Sequence, residues 1–374
     1  MDELFDTENS EVEEIEKEEQ AASIETPFNP NLIKIRRDPF TLGQLIDKIE
    51  HNEVNFNTAF QRKSDLWDAT KQSRLIESIL LNLPLPSFYF DETDSVSQKW
   101  NVIDGLQRCS VLNNYVIKKT LKLENLEFLH QYEVKYSELP RELQRRIQQT
   151  SITIYVVEQG TPEEVKFNIF KRINTGGLVL TPQEIRHAMN QGIPAQFVEQ
   201  LANSKLFKKA TCNKIKSDRM EDRDFVTRFV SFYLLDYKKY QPDLDGFMTK
   251  GMCKIKELTE ENREQIRVAF DKAMKAAIDI FGEDAFRKRE NITDRRRPIN
   301  KPLFEVLSVV FSKLTDEQRC NLVNKKESFK YKFMKLNKDE GFKYAISSGT
   351  GQKGSVNERF ADIERIVNET LNNI

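Results

Sequence analysis

Residues Trp100–Tyr115 read WNVIDGLQRCSVLNNY, and the fold turns on how that stretch is parsed. Val102-Ile103 is an apolar run that reads as a buried strand. It stops at Asp104-Gly105, a turn pair, and a helical pattern begins there, with Val111, Leu112, Tyr115 and Val116 at helical spacing. Asp104, Gln107 and Arg108 crowd the strand-to-helix corner. α/β proteins place ligands at such corners, because strand ends open a crevice and the first N–H groups of a helix present partial positive charge to anions. Arg108 is the odd residue. At about 100° per residue it points close to Leu112 and Tyr115, the face the helix buries. An inward arginine needs an anionic partner or a ligand. Two readings stand side by side: a turn pinned by an Asp104–Arg108 pair, and an anion site.

Upstream, Thr41–Ile49 (TLGQLIDKI) reads as a short helix capped by Thr41, with Leu42, Leu45, Ile46 and Ile49 on one face. Val54, Phe56 and Thr58 alternate like a strand. Gln61, Arg62 and Trp67 fall in a loop. Asp68 is placed to cap a strong helix whose apolar face is Leu75, Ile76, Ile79, Leu80 and Leu83, and Pro84-Leu85-Pro86 stops it. Ser87–Phe90 reads as a strand joined by a hairpin-like loop to Lys99–Ile103.

Downstream, residues 116–136 mix short helix and loop, Glu138–Gln149 is helical, and Ser151–Glu158 is a β-rich strand. Thr161-Pro162-Glu163-Glu164 and Thr181-Pro182-Gln183-Glu184 carry the same helix-start signal, a capping threonine, proline at the first helical position and glutamate three residues on. The first of these helices should bury Val165, Ile169, Phe170 and Ile173. Between them, Asn174-Thr175-Gly176-Gly177 has two uses: ending a helix in a left-handed turn, or letting backbone N–H groups approach a phosphate. No Walker loop occurs anywhere in the chain. From Pro194 the pattern is helical almost throughout, with basic clusters at Arg287-Lys288-Arg289 and Arg295-Arg296-Arg297 that read as solvated loop ends or phosphate contacts.

Bulk properties narrow the class. A chain of 374 residues, 39% hydrophobic and 31% charged, suits a soluble protein of two domains or of one large domain with additions. No apolar run approaches the roughly 18 residues a bilayer span needs, and the acidic opening predicts no secretion signal. The expectation is a cytoplasmic protein with no membrane partner. Cys109, Cys212, Cys253 and Cys320 form no C-x-x-C pair, which predicts free thiols. Residues 1–25 hold eleven Asp/Glu and one Lys, a net −10, so with a chain total of −1 the remainder carries +9. The first 27 residues read as an acidic disordered segment, and the basic body as compatible with nucleic acid or nucleotides.

Four ordered blocks carry a resemblance: FQRKSDLW followed by SRLIESILLNLPLPSFYF, then VIDGLQRCSVL, then FKRINTGGLVLTPQEIRHAM, spanning about Leu42 to Met189. The sequence resembles the N-terminal domain family of GmrSD-type, modification-dependent restriction endonucleases. The resemblance implies an α+β chain: a small mixed ParB/sulfiredoxin-like sheet domain over 28–190, then a mainly α-helical region over 191–374. In that family a D-G-Q-Q-R element is associated with nucleotide binding and hydrolysis in antiphage systems. It matches Asp104, Gly105, Gln107 and Arg108, with Leu106 where the pattern has its first glutamine. That departure bears on hydrolysis more than on binding.

The implied roles are catalytic for Asp104, Gln107 and Arg108, with Asp104 also the expected Mg2+ ligand and Gln107 placed to orient water. Nucleotide contacts are expected from Gln61, Arg62, Trp67, Gly105, Arg172, Asn174, Thr175, Gly176 and Gly177. The cofactor is an NTP of unspecified base. DNA and a separate nuclease or effector subunit are the expected partners. Full GmrSD-type enzymes add an HNH-like nuclease. His51, His130 and His187 are far apart and none follows an aspartate, so no HNH site is expected in these residues. Two rivals stay open: a non-enzymatic DNA-binding protein whose corner is structural, and a metal-dependent nuclease using the sheet domain itself.

Overall fold

The computed structural model describes residue 12 and residues 33–55, 67–94, 99–173 and 180–372. The chain forms two compact units. One comprises Phe28–Leu180 with His187–Met189. The other comprises Met1–Pro27, Thr181–Arg186 and Asn190–Ile374.

The first unit is built on a mixed five-stranded sheet in the order β1-β5-β3-β4-β2, with β1 Ile35–Thr41, β2 Val54–Asn55, β3 Phe88–Asp94, β4 Lys99–Asp104 and β5 Ser151–Val157. β1 pairs antiparallel with β5, β5 parallel with β3, β3 antiparallel with β4, and β4 parallel with β2. Alternation sends Phe88, Phe90, Trp100, Val102, Ile152, Ile154 and Val156 into one core. Buried residues of α1 (Leu42–Glu50), α2 (Ala69–Leu80), α3 (Leu106–Leu112) and α4 (Arg141–Gln149) share that core.

Local chemistry sets most boundaries. Thr41 and Gln44 form a capping box at the start of α1. The Asp68 carboxylate accepts from the Lys71 N–H at the start of α2. That helix ends a turn earlier than its pattern suggests: Asn82 takes φ +59°, and Leu83, expected on the apolar face, is 50% exposed. Strand β1 is not legible as a strand, because it is a charged edge interrupted by Pro39, a residue an edge strand tolerates. Glu77 is buried on α2 and accepts from the N–H groups of Glu127, Phe128 and Leu129, organising the loop that the sequence leaves ambiguous.

Helix α5 (Glu163–Ile173) buries Val165, Lys166, Phe167 and Phe170, while Ile169 and Ile173 are half-buried. The stripe is rotated from the expected one because Lys166 is drawn inward by carboxylates. The Thr161 hydroxyl exchanges hydrogen bonds with the Lys34 backbone. Helix α6 (Pro182–Met189) starts at the capping box of Thr181 and Glu184. Its residues are divided between the two units, Pro182–Arg186 going with the helical one and His187–Met189 with the sheet-containing one.

The second unit is helical: α7 Ile193–Ala202, α8 Lys205–Ala210, α9 Glu221–Leu234, α10 Leu244–Glu257, α11 Glu260–Phe281, α12 Lys301–Lys313, α13 Asp316–Asn324, α14 Lys326–Leu336, α15 Glu340–Ser347 and α16 Lys353–Leu371. Helix α12 is buried from Pro302 to Ser312 on every face, as a central helix must be. Among the described residues no helix is long and apolar enough to cross a membrane.

Candidate functional site

The corner at the end of β4 is shaped by a register irregularity. Asp91 faces Asn101 and Phe90 faces Val102, but Tyr89 faces Asp104, so β4 carries one extra residue at Ile103. A bulge of this kind re-aims the next side chain. It takes Asp104 out of strict alternation with Trp100 and Val102 and sets it opposite Tyr89. Gly105 follows at φ +100°, and a Cβ there would lie 2.6 Å from Phe88 Cδ1. Only glycine meets both demands. Helix α3 then begins, and residues Asn113–Ile117 widen it into a π-helical turn.

Arg108 points inward, as its helical position requires. Its side chain is 9% exposed, against 33% for Asp104. Nη2 donates to Asp104 Oδ2 at 2.9 Å and to the Ser87 carbonyl at 3.1 Å. Nη1 donates to the Pro86 carbonyl. The guanidinium carbon lies 4.3 Å from the centroid of the Phe88 ring. Burial pulls the Arg108 pKa below its ordinary value, and Asp104 pulls it back; a guanidinium stays charged either way. The corner therefore holds a carboxylate at a strand end, fixed by a buried arginine. Phe88 and the Pro86 and Ser87 carbonyls complete that fixture. Nothing in residues 100–115 announces them, because Phe88 opens the neighbouring strand β3 and Pro86 and Ser87 lead into it. Cys109, next along, is no nucleophile: burial pushes its thiol up to about 12.

The expected site residues divide into three sets. Asp104, Gly105, Gln107 and Arg108 come together at this corner, with Gln107 half-buried. Trp67 is half-buried against the sheet-domain core and its carbonyl accepts from Gln72, while Arg172 is exposed in the last turn of α5. Among the described residues neither forms a hydrogen bond or ion pair with the corner. Gln61, Arg62, Asn174, Thr175, Gly176 and Gly177 lie outside the described residues.

A polar row crosses the other face of the sheet. Asn55 Nδ2 donates to Asn101 Oδ1 at 3.0 Å, Asn101 faces Asp91 across the β3–β4 ladder, and Asp91 Oδ1 lies 2.8 Å from Lys166 Nζ. Glu163 sits 3.5 Å from the same ammonium. Burial works against the Lys166 charge, but Asp91 and Glu163 outweigh it and hold its pKa above the ordinary lysine value. The signal for this row was present in the sequence: Asn101 and Asp91 are polar residues inside strands, both out of phase with the apolar positions.

The donor set bears on Mg2+. Among the described residues no group of three or more His, Cys, Asp or Glu is arranged to hold a metal ion. A single carboxylate does fit Mg2+ when nucleotide phosphates and water supply the remaining ligands.

Residues 42–190 match the family model described as GmrSD restriction endonuclease, N-terminal domain. No curated protein and no solved structure matches the chain. The match begins at α1, ends just after α6 and contains the whole corner, so the stretch that resembles a GmrSD restriction endonuclease N-terminal domain is the sheet unit with its Asp104–Arg108 corner.

Proposed function

We propose that this domain binds a nucleoside triphosphate at the Asp104–Arg108 corner and serves as the nucleotide-responsive part of a DNA-linked restriction or antiphage system. The observation that carries the reading is the bulged strand end, which presents a one-third-exposed carboxylate locked in place by a buried arginine. Asp104 is the residue assigned to Mg2+ or to an ordered water, and the bound ion would supply charge neutralisation for the phosphates. Arg108 is a positioning residue, since its guanidinium bonds to Asp104 and to two carbonyls. Phosphate neutralisation then falls to Arg62 and Arg172, with Gly176-Gly177 as backbone donors. Gln107 is assigned to orient water should hydrolysis accompany binding. DNA and a separate nuclease subunit are the partners this reading expects.

The test is a binding and hydrolysis screen of the purified chain with ATP, GTP, CTP and UTP, with and without Mg2+ and DNA. Saturable binding of at least one nucleotide is expected, weakened about tenfold or more in Asp104→Asn, the loss of one charge-assisted or metal contact. Arg108→Lys should bind with altered Mg2+ dependence, because the carboxylate is no longer held by a bidentate-capable fork. No saturable binding under any of these conditions overturns the reading. A second reading has its own observation: the hydrogen bonds of the Arg108 guanidinium described above all go to the protein, which suits a structural corner in a DNA-binding domain. Salt-steep DNA binding unchanged in Asp104→Asn, with no nucleotide bound, selects it.

A further inference from the structure

A row of four side chains crosses the sheet on the face turned away from its core. The bulge in β4 sets Asp104 opposite Tyr89 of β3. Tyr89 is in register with Tyr155 of β5, and Tyr155 with Arg37 of β1. Residues directly opposite across a ladder lie on one side of a sheet. Phe88 and Phe90 flank Tyr89, Ile154 and Val156 flank Tyr155, and all four are buried in the core. Alternation therefore sends both tyrosines and Arg37 to the other face. Strict alternation would have put Asp104 on the core side with Trp100 and Val102, and the bulge brings it into the tyrosine row instead.

The two tyrosine rings are stacked, with 4.9 Å between centroids and 13° between planes. Each spends one face on the other, and the second face of Tyr155 looks toward β1 and Arg37. Both tyrosines are half-buried, and Arg37 is exposed. Among the described residues neither tyrosine hydroxyl forms a hydrogen bond and Arg37 enters no ion pair. The neighbouring row, two residues along β3, is different: Asp91 there is buried and held by Lys166 at 2.8 Å. Burial raises the Tyr89 pKa, and Tyr155 and Asp104 add to the rise, as a phenol one strand away from a carboxylate requires. A cross-strand tyrosine pair stabilises a sheet with no ligand at all. What singles this pair out is its line: a stack lying between the corner carboxylate on one side and an unpaired arginine on the other.

Resting on the reading of the corner as a nucleotide site, we propose that the Tyr89–Tyr155 stack is the platform for the base of that nucleotide. The base lies on the outer face of Tyr155, Arg37 donates to acceptor atoms on its edge, and the phosphates with their metal ion lie at Asp104. Neighbouring strands are about 4.8 Å apart, so the Asp104 and Tyr155 backbones are separated by about 10 Å. That matches the span of a nucleoside triphosphate from its terminal phosphates to its base. Stacking on an aromatic ring accepts any base, because every base has a π-face. Tyr89 and Tyr155 bind the base and take no part in chemistry at the phosphates.

The test is isothermal titration calorimetry of the full chain in Mg2+ with ATP, GTP, CTP and UTP and with inorganic tripolyphosphate, which has the phosphates and no base. The unaltered chain is expected to bind at least one nucleotide more tightly than tripolyphosphate. Tyr155→Ala should weaken that nucleotide about tenfold or more and leave tripolyphosphate unchanged, while Tyr155→Phe, which keeps the ring, should stay within about twofold for both. Asp104→Asn should weaken both probes, and Arg37→Ala the nucleotide alone. Circular dichroism checks folding, and Arg37→Ala, at an exposed edge position, carries the same test if Tyr155→Ala does not fold. Unchanged nucleotide affinity in either variant overturns the proposal, and so does equal weakening of both probes. Tripolyphosphate bound as tightly as every nucleotide overturns it too, but leaves a phosphate site at the corner standing. Binding of no probe at all removes the nucleotide site and the base platform together.

Discussion

At the scale of single residues the corner depends on Gly105. Its φ of +100° and the 2.6 Å approach of a hypothetical Cβ to Phe88 Cδ1 leave no room for a side chain. Gly105→Ala is therefore expected to lower stability by about 1–3 kcal/mol, through backbone strain and displacement of the Phe88 ring. Urea unfolding followed by circular dichroism measures it, and a change within about 0.5 kcal/mol, the range of a surface substitution, would contradict the geometry. Displacing Phe88 also disturbs the platform under Arg108, so the nucleotide binding proposed above should fall with stability in this variant. The spacing of Asp104, Gly105 and Arg108 was readable in the sequence. What it left open, whether Arg108 pairs or waits for an anion, was decided by Pro86, Ser87 and Phe88, which approach only once β3 lies beside β4.

At the scale of elements, helices α9 and α10 meet through Gly251. A Cβ at that position would sit on Ser231, 2.7 Å from its Cα, so two helix backbones approach closely there. The Ser231 hydroxyl returns a bond to the Thr227 carbonyl on its own helix, at 2.7 Å, which satisfies it within the contact. Gly251→Val is expected to cost about 1–3 kcal/mol or more by forcing the helices apart, although valine raises no difficulty for an isolated helix beyond its modest propensity. A thermal melt gives the answer, and an unchanged midpoint would mean the helices are not so close. Elements with a strong pattern or a cap, α1, α2, α6, α9, α11, α12 and α16, were legible because their signals are local. Strand β1 was not. Its residues IRRDPFT have no apolar alternation, and only hydrogen bonds to β5, more than a hundred residues away, make it a strand.

Across the whole helical unit, buried and half-buried charges tie five helices together. Arg359 and Glu305 are fully buried and paired at 2.6 Å, linking α16 to α12. Arg228 of α9 reaches Glu305 at 3.5 Å, and Asp224 of the same helix meets Lys301 at 3.1 Å and Arg186 of α6 at 3.0 Å. Arg186 also meets Asp245 of α10 at 2.8 Å. Burial pushes the Asp224 carboxyl up, but Lys301, Arg228 and Arg186 outweigh it and hold it well below the ordinary carboxylate range. A depressed folded-state pKa contributes stability that is fully present above the unfolded value of about 4 and is lost as pH falls through it toward the folded value. Asp224→Asn is accordingly expected to cost about 3–5 kcal/mol at neutral pH, since three cations lose a shared partner. Its deficit relative to the unaltered chain should shrink between about pH 4 and pH 2. Urea titrations at a series of pH values measure this, and a deficit independent of pH would remove Asp224 from the network.

The sequence by itself determined the order of elements around Trp100–Tyr115, the helix starts at Thr41, Asp68 and Thr181, the mainly helical second half, and the resemblance of residues 42–190 to the GmrSD N-terminal domain. These are consequences of periodicity, capping and motif spacing, which act within a few residues or survive as ordered blocks. Tertiary structure alone decided the sheet order, the bulge that turns Asp104 toward Tyr89, the inward rotation of Lys166, and the partners of Arg108. It also decided that Val12, one apolar residue in an acidic run, is buried beside Ile299. Each of these depends on which distant segment arrives alongside, and burial then fixes the charge state and partners that a solvated side chain leaves open.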